Sequence, residues 1–171
     1  VTVKERPTGS IQAGIGFAQG DGLQLSASVS QANVLGSGKS LSVSFANGKT
    51  TKNASISFTD PYYTVDGVSL GYDLYSRSYN PQKTDRAQYS TKTTGAAARF
   101  GVPITEYDRI SFSFGAENTN IKLYEDSPDR YKDFVSQYGA SNMTVLASAG
   151  WSRDTRDSAL WPTRGVSMGV S

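Results

Sequence analysis

The chain has 171 residues, enough for one domain with a sizeable core. Lys and Arg total 17 against 15 Asp and Glu, and a formal charge of +2 argues for neither nucleic acid nor a strongly acidic partner. Cys and His are both absent, so disulfides, thiolate metal sites and a Ser-His-Asp triad are excluded, while carboxylate chemistry is not; no metal or cofactor is expected, and no pair of carboxylates is placed for acid-base work.

The chain opens on Val1 without a charged-then-apolar leader, and the expectation is a mature or excised segment. No run approaches the ~20 apolar residues of a membrane helix. Almost nothing reads at helical period. Instead, segment after segment alternates apolar and small or polar residues, the mark of strands with two unlike faces. Ile11, Ala13, Ile15 and Phe17 form the first run, and Leu23, Leu25, Ala27 and Val29 the second. Leu41, Val43 and Phe45 follow, then Ala54, Ile56 and Phe58, then Val68, Leu70, Tyr72 and Leu74. The sixth run is Ala96, Ala98, Phe100, Val102 and Ile104, and the seventh is Ile110, Phe112, Phe114 and Ala116. Before the eighth, a helix is predicted, with Ser127 as cap, Pro128 at its first position and Gly139 at its end. Its apolar face would hold Tyr131, Phe134, Val135 and Tyr138, packing on the loop or covering a lumen. Met143, Val145, Ala147, Ala149 and Trp151 make the eighth run, and Val166, Met168 and Val170 begin a ninth.

Short connections make these strands antiparallel neighbours in an up-and-down meander. The apolar positions carry no charge, whereas Asp73, Arg99, Arg109 and Glu117 fall on the other face or in loops. That other face is mostly Ser, Gly, Thr and Ala. A soluble β-sandwich normally puts Lys, Glu and Thr on its water face. A transmembrane β-barrel needs an apolar belt outside and tolerates a small polar lining. The expected fold class is therefore all-β, an antiparallel up-and-down transmembrane β-barrel of about eight strands, with the sandwich as the alternative.

Tyr62, Tyr63, Tyr107 and Trp161 lie at one set of strand ends, as interfacial anchors would. Phe17, Tyr75, Tyr79 and Tyr89 lie towards the other, as a second girdle. Connections 33–39, 60–67, 103–108 and 154–165 fall on the first side; 19–22, 47–52, 77–88 and 118–141 fall on the second and include the two longest. Outer-membrane barrels have short periplasmic turns and longer external loops, which puts the start of the meander on the periplasmic side.

Three motifs read as bland. Gly36-Ser37-Gly38-Lys39-Ser40 lacks the upstream Gly and the following helix of a phosphate loop and is expected to be a turn. Gly165-Val166-Ser167-Met168-Gly169 has no helix and no His partner for a nucleophile elbow. Glu125, Asp126 and Asp129 read as a solvated acidic loop.

Residues 60–71 (DPYYTVDGVSLG), 3–16 (VKERPTGSIQAGIG), 33–38 (NVLGSG) and 100–107 (FGVPITEY) together resemble the BamA family, outer-membrane proteins that assemble other β-barrels in Gram-negative bacteria. The likeness follows nearly the whole chain in order. It implies that residues 1–6 end a periplasmic POTRA domain or linker, and that 7–171 hold strands one to eight and the start of nine of a sixteen-stranded barrel. It implies outer-membrane lipid, unfolded outer-membrane clients and assembly-machine lipoproteins as partners, and no enzymatic step. In that family a seam opens beside the first strand, where client strands pair. The groups implied here are the backbone N–H and C=O of Gly9, Ser10, Ile11, Gln12, Ala13, Gly14, Ile15 and Gly16. Independently, a Gly-rich strand packs weakly and holds its register loosely. A small partner-binding barrel, predicting a closed monomer, and a two-partner-secretion type of pore are the rival readings. An eight-stranded interior closed on this small lining would be loose or watery, with Arg99 and Glu117 inside.

Overall fold

Period-two alternation is realised as nine antiparallel strands in one sheet. The computed structural model describes residues 8–18, 22–81, 89–125, 127–158 and 160–171; the expected tail 1–6 and Asp126 lie outside them. The strands are β1 (Gly9–Ala18), β2 (Gly22–Gln31), β3 (Ser40–Asn47), β4 (Thr51–Asp60), β5 (Ser69–Tyr79), β6 (Tyr89–Pro103), β7 (Asp108–Leu123), β8 (Ser141–Asp154) and β9 (Ser167–Val170). One helix, α1 (Asp129–Tyr138), lies between β7 and β8. Strand order in space is strand order in sequence.

The register sorts every strand the same way. Ile11, Val29, Val43, Ile56, Leu74, Ala96, Ala116 and Val145 form one row of cross-strand neighbours from β1 to β8. The next row, one residue on, is Gln12, Ser28, Ser44, Ser55, Tyr75, Gly95, Glu117 and Thr144. Side chains of adjacent residues point to opposite faces, so one face is apolar and the other small and polar.

Within the described residues the apolar face has no second layer over it. Among the described residues, Leu70 is the one buried hydrophobic side chain, while Ile15, Leu25, Phe45, Phe114 and Val145 stand exposed. Each large apolar side chain left in water forgoes roughly 1.5–3 kcal/mol. A handful would therefore offset the ~5–15 kcal/mol of net stability of an ordinary domain. This face needs an apolar surrounding, and the sandwich alternative fails because the described residues form a single sheet with none opposing it. A ten-residue strand such as β4, at ~3.3 Å per residue and ~45° tilt, spans ~23 Å, close to the ~25 Å apolar belt of membrane barrels.

The sheet is open. Among the described residues, β1 pairs only with β2 and β9 only with β8. The structure is a length of wall rather than a closed eight-stranded ring. β6, β7 and β8 run 15, 16 and 14 residues, longer than their apolar runs, because they continue pairing above the apolar belt through Ser, Thr, Asn and Lys.

The helix forms where expected, with one change at its start. Pro128 has an extended ψ of 141° and stands just before the first turn, not in it. Pro128, not Ser127, holds the cap position, and the Ser127 Oγ accepts from the Tyr124 N–H at 2.8 Å. Gly139, at φ 84°, ends the helix and donates its N–H to the Val135 carbonyl at 2.9 Å. The Gly36–Lys39 segment is a turn: Gly36 and Gly38 adopt left-handed φ, Asn33 Oδ1 accepts from the Gly38 N–H at 2.6 Å, and Lys39 Nζ meets Asp60 Oδ2 at 2.9 Å. Ser167 and Met168 lie in β9, not at an elbow.

Candidate functional site: the open edge of β1 and the polar wall

Which backbone groups of β1 are free follows from the phase of its ladder. The Ala32 N–H donates to the Thr8 carbonyl at 2.8 Å. Antiparallel partners alternate between hydrogen-bonded and non-bonded pairs. Counting along the register, Ser10, Gln12, Gly14 and Gly16 turn their N–H and C=O towards β2, against Ser30, Ser28, Ser26 and Gln24. Gly9, Ile11, Ala13 and Ile15 turn theirs outward, as does Phe17. Of the eight positions from Gly9 to Gly16, four thus turn their backbone groups into the sheet and four away from it. The opposite edge has its own phase. Thr155 donates to the Val166 carbonyl at 2.9 Å, so Ser167 and Gly169 face outward on β9.

The glycines of β1 are not required by backbone angles, since none of Gly9, Gly14 and Gly16 has positive φ. A Cβ at Gly16 would meet nothing within 4 Å, and one at Gly14 would meet only Ser26 Oγ at 2.8 Å. At Gly9 and Gly14 the missing Cβ leaves room for the Gln31 and Ser26 side chains, and at Gly16 its absence removes packing. Ile11 and Ile15, at 82% and 78% exposure, touch little else. Side-chain ties to β1 include Ser10 Oγ to Ser30 Oγ at 2.7 Å, Gln31 Nε2 to Thr8 Oγ1 at 2.7 Å and a long one from Ser26 Oγ to the Gly14 carbonyl at 3.4 Å. A strand held this lightly is a poor wall and a ready template.

The polar face carries a built network in its middle. Ser57 Oγ donates to Asp73 Oδ1 at 2.7 Å, and Arg99 Nη2 reaches the same oxygen at 3.0 Å and Ser57 Oγ at 3.1 Å. Arg99 Nε also pairs with Asp73 Oδ2. Beside it, Tyr75 donates its hydroxyl to Glu117 Oε2 at 2.8 Å, and the Arg77 guanidinium lies 5.3 Å from the Tyr75 ring centre. Tyr75 therefore belongs to the polar wall and not to an aromatic girdle. Tyr79 and Tyr89 share that register, and Tyr89 stacks on Tyr131 of α1 with ring centres 4.5 Å apart. This contact ties the helix to the polar face, as a lumen-covering element would be.

Tyr62, Tyr63, Tyr107 and Trp161 all lie in connections at one end of the sheet, and all four are exposed. In the connection after β8, the Asp157 carboxylate accepts the Thr163 hydroxyl, the Thr163 N–H at 2.9 Å and the Arg164 N–H at 3.2 Å. Those donors hold its pKa down, to about 2. No cluster of three metal-ligating side chains occurs among the described residues, and Lys132 Nζ lies 3.0 Å from the Glu125 carbonyl and 3.9 Å from Asp129.

One group escaped the sequence reading. Lys52, Lys92 and Lys122 share the parity of the apolar positions but lie just beyond the apolar runs. The available signal was that parity, extended one or two residues past the last apolar position.

This wall has known relatives. A family model described as an Omp85 superfamily domain matches residues 33–171. The outer membrane protein assembly factor BamA of Neisseria meningitidis is 45% identical over the whole chain, which covers 23% of that protein. The corresponding protein of Nitratidesulfovibrio vulgaris is 30% identical over 97% of the chain, which covers 20% of it. The crystal structure of BamA from Haemophilus ducreyi lacking POTRA domains 1–3 superimposes with a TM-score of 0.68 at 31% identity, over 97% of this chain and 34% of that one. The chain thus spans about a fifth of the length of the curated relatives it matches. With its ordered meander, its two unlike faces and the family match over most of its length, the chain belongs to the Omp85 superfamily.

Proposed function

We propose that this chain is part of the barrel wall of an outer-membrane protein assembly factor of a Gram-negative bacterium, and that β1 offers its free edge to strands of unfolded client barrels. Residues 1–6 are read as the end of a periplasmic domain or linker, and 7–171 as a partial barrel. Soluble partners of the assembly machine, its lipoproteins included, would engage the complete protein elsewhere.

The observation that carries the reading is the outward-turned backbone of Gly9, Ile11, Ala13 and Ile15 on a glycine-rich strand with no second neighbour among the described residues. At bilayer depth an unmade backbone hydrogen bond costs several kcal/mol. An edge that can pair there draws in another strand. Main-chain bonds supply the affinity and do not depend on the client's side chains, which suits a template for many clients. No covalent step and no nucleotide enters. The network of Ser57, Asp73 and Arg99 stiffens the middle of the wall, four strands from the edge, so that the β1 side can give while the rest holds.

The ladder phase makes the test specific. Proline removes an N–H and is tolerated at a sheet edge where that N–H faces away from the ladder. In the complete protein, Ala13→Pro and Ile15→Pro should leave the barrel folded by a heated-versus-unheated gel while client barrels fail to accumulate. Gln12→Pro and Gly14→Pro should instead loosen β1 from β2. Undiminished client assembly with both outward prolines would overturn the reading.

A further inference from the structure

A groove of about 870 Å3 opens in the half of the wall nearest α1. Most of its lining has the parity of the apolar face, with Ala54, Ala96 and Ala116 beside Phe45, Leu74 and Met143; Ser44, Ser55, Tyr75, Gly95 and Glu117 of the other row also border it. Thr94 and Asn118 stand at its upper lip. Directly above, the register aligns Lys52, Ser78, Lys92 and Asn120 in one row, and Lys122 lies two residues further on, opposite Ser90. All three lysines have the parity of the apolar face and all are exposed. Lys52 and Lys92 make no ion pair among the described residues, and Lys122 Nζ lies 5.7 Å from the Tyr124 ring centre. Among the described residues, the acidic ones of the connections at this end, Glu125, Asp129 and Asp133, belong to the α1 segment, which is anchored on the opposite face through Tyr131 and Tyr89.

From the ~4.8 Å strand spacing, Lys52 and Lys92 are about 10 Å apart at Cα and Lys92 and Lys122 about 8 Å. Extended lysines at those distances can close on a single phosphate. We propose that the groove and the lysine row form one lipid site: an acyl chain fills the space over Ala54, Ala96 and Ala116, and the phosphate of an anionic headgroup is held by Lys52, Lys92 and Lys122. The complementarity is vertical. Apolar space lies at acyl depth, a polar lip above it, and unpaired positive charge above that. A soluble phosphate would use only the top, and an apolar peptide only the bottom. This inference rests on the bilayer-facing reading of the apolar face and is independent of the β1 edge.

The test uses the complete protein in phosphatidylcholine vesicles, with trace spin-labelled phosphatidylglycerol or spin-labelled phosphatidylcholine. The immobilised fraction reports preference for each. A lysine near a charged headgroup contributes roughly fivefold, so a preference for phosphatidylglycerol of at least about fivefold is expected. It should fall to near even in the triple variant Lys52→Gln, Lys92→Gln, Lys122→Gln and persist in the corresponding triple Lys→Arg variant. It should also fall in Ala54→Phe, Ala96→Phe, which fills the groove and keeps the charges. An unchanged preference in the Gln variant overturns the site. So does a preference that survives groove filling, which would mean a diffuse basic rim. Loss of the immobilised lipid on adding millimolar glycerol phosphate would assign the lysines to a soluble phosphate instead. A heated-versus-unheated gel on every sample reads insertion separately: a wild-type protein that does not insert overturns the bilayer-facing reading itself, and the lipid site with it.

Discussion

Tyr75 on β5 hydrogen-bonds Glu117 on β7 across the whole width of β6, at 2.8 Å, and the strand between them allows it only because residue 95 is glycine. A Cβ at Gly95 would stand 2.5 Å from Tyr75 Cζ. Three residues from three strands thus make one joint: a long donor, a gap, and a carboxylate beyond it. The same wall repeats the device at Gly71, where a Cβ would stand 3.3 Å from Arg99 Nη2.

Gly95→Ala should expel the Tyr75 ring from its place and destabilise the wall by about 1–2 kcal/mol. Tyr75→Phe should cost about 0.5–1.5 kcal/mol, the net value of one hydrogen bond. The two effects should be strongly non-additive, because either change alone breaks the same bond. Urea unfolding in micelles measures all three proteins; full additivity would refute the joint.

Asp73 and Arg99 are partly open to solvent, with side chains 27% and 48% exposed. Their coupling in a double-mutant cycle should therefore be modest, roughly 0.5–1 kcal/mol, and should shrink in high salt. Asp73→Asn alone should cost more than Arg99→Gln. It weakens the anchor of both Ser57 and Arg99, whereas Arg99→Gln leaves the Ser57 bond in place.

Asp157 ties the connection between β8 and β9. Its folded pKa, about 2, lies below the ordinary carboxylate value of 3.8. A depressed acid stabilises the state that depresses it, so its contribution is fully present above pH ~4 and is lost as pH falls towards 2. Trp161, in the same connection, reports this in a Trp151→Phe background. Its fluorescence anisotropy should drop between pH 4 and 2. In Asp157→Ala it should already be low at neutral pH and change little on acidification.

Tyr62, Tyr63, Tyr107 and Trp161 share one end of the wall, where an aromatic belt would sit at the headgroup level. In vesicles, Trp161 should be quenched best by lipids brominated near the headgroup. Trp151, on the apolar face opposite Ile110, should be quenched best by bromine deeper in the acyl chain. Equal quenching of both by shallow bromine would remove Trp161 from any special interfacial role.

Much of this wall is legible in the chain because alternation states directly which residues share a face. Ile11 to Val145 could be placed on one face without knowing any neighbour. Strand ends were less legible. β5 runs to Tyr79 and β7 to Leu123, past the end of the apolar run of each, at Leu74 and Ala116. Above the belt the apolar row gives way to Ser, Thr, Asn and Lys while Tyr79, Tyr89, Ile121 and Leu123 stand on the other face, so the alternation no longer marks the outer face. The lysine row was hidden for the same reason. Ser127 and Pro128 show a local limit: both favour a helix start, but Ser127 is drawn back to the Tyr124 N–H, and the helix begins one residue later than the proline would suggest.

The sequence by itself determined the strand order, the two unlike faces and the absence of charge from the apolar runs, since each depends only on neighbours along the chain. Tertiary structure decided the rest. It decided that Tyr75 points to Glu117 and not to a girdle, because that contact joins residues 42 apart through a gap on a third strand. It decided that Gly9, Ile11, Ala13 and Ile15, and not Ser10, Gln12, Gly14 and Gly16, keep free backbone groups. A strand's hydrogen-bond phase is set by the partner it pairs with, and nothing in its own residues distinguishes one phase from the other.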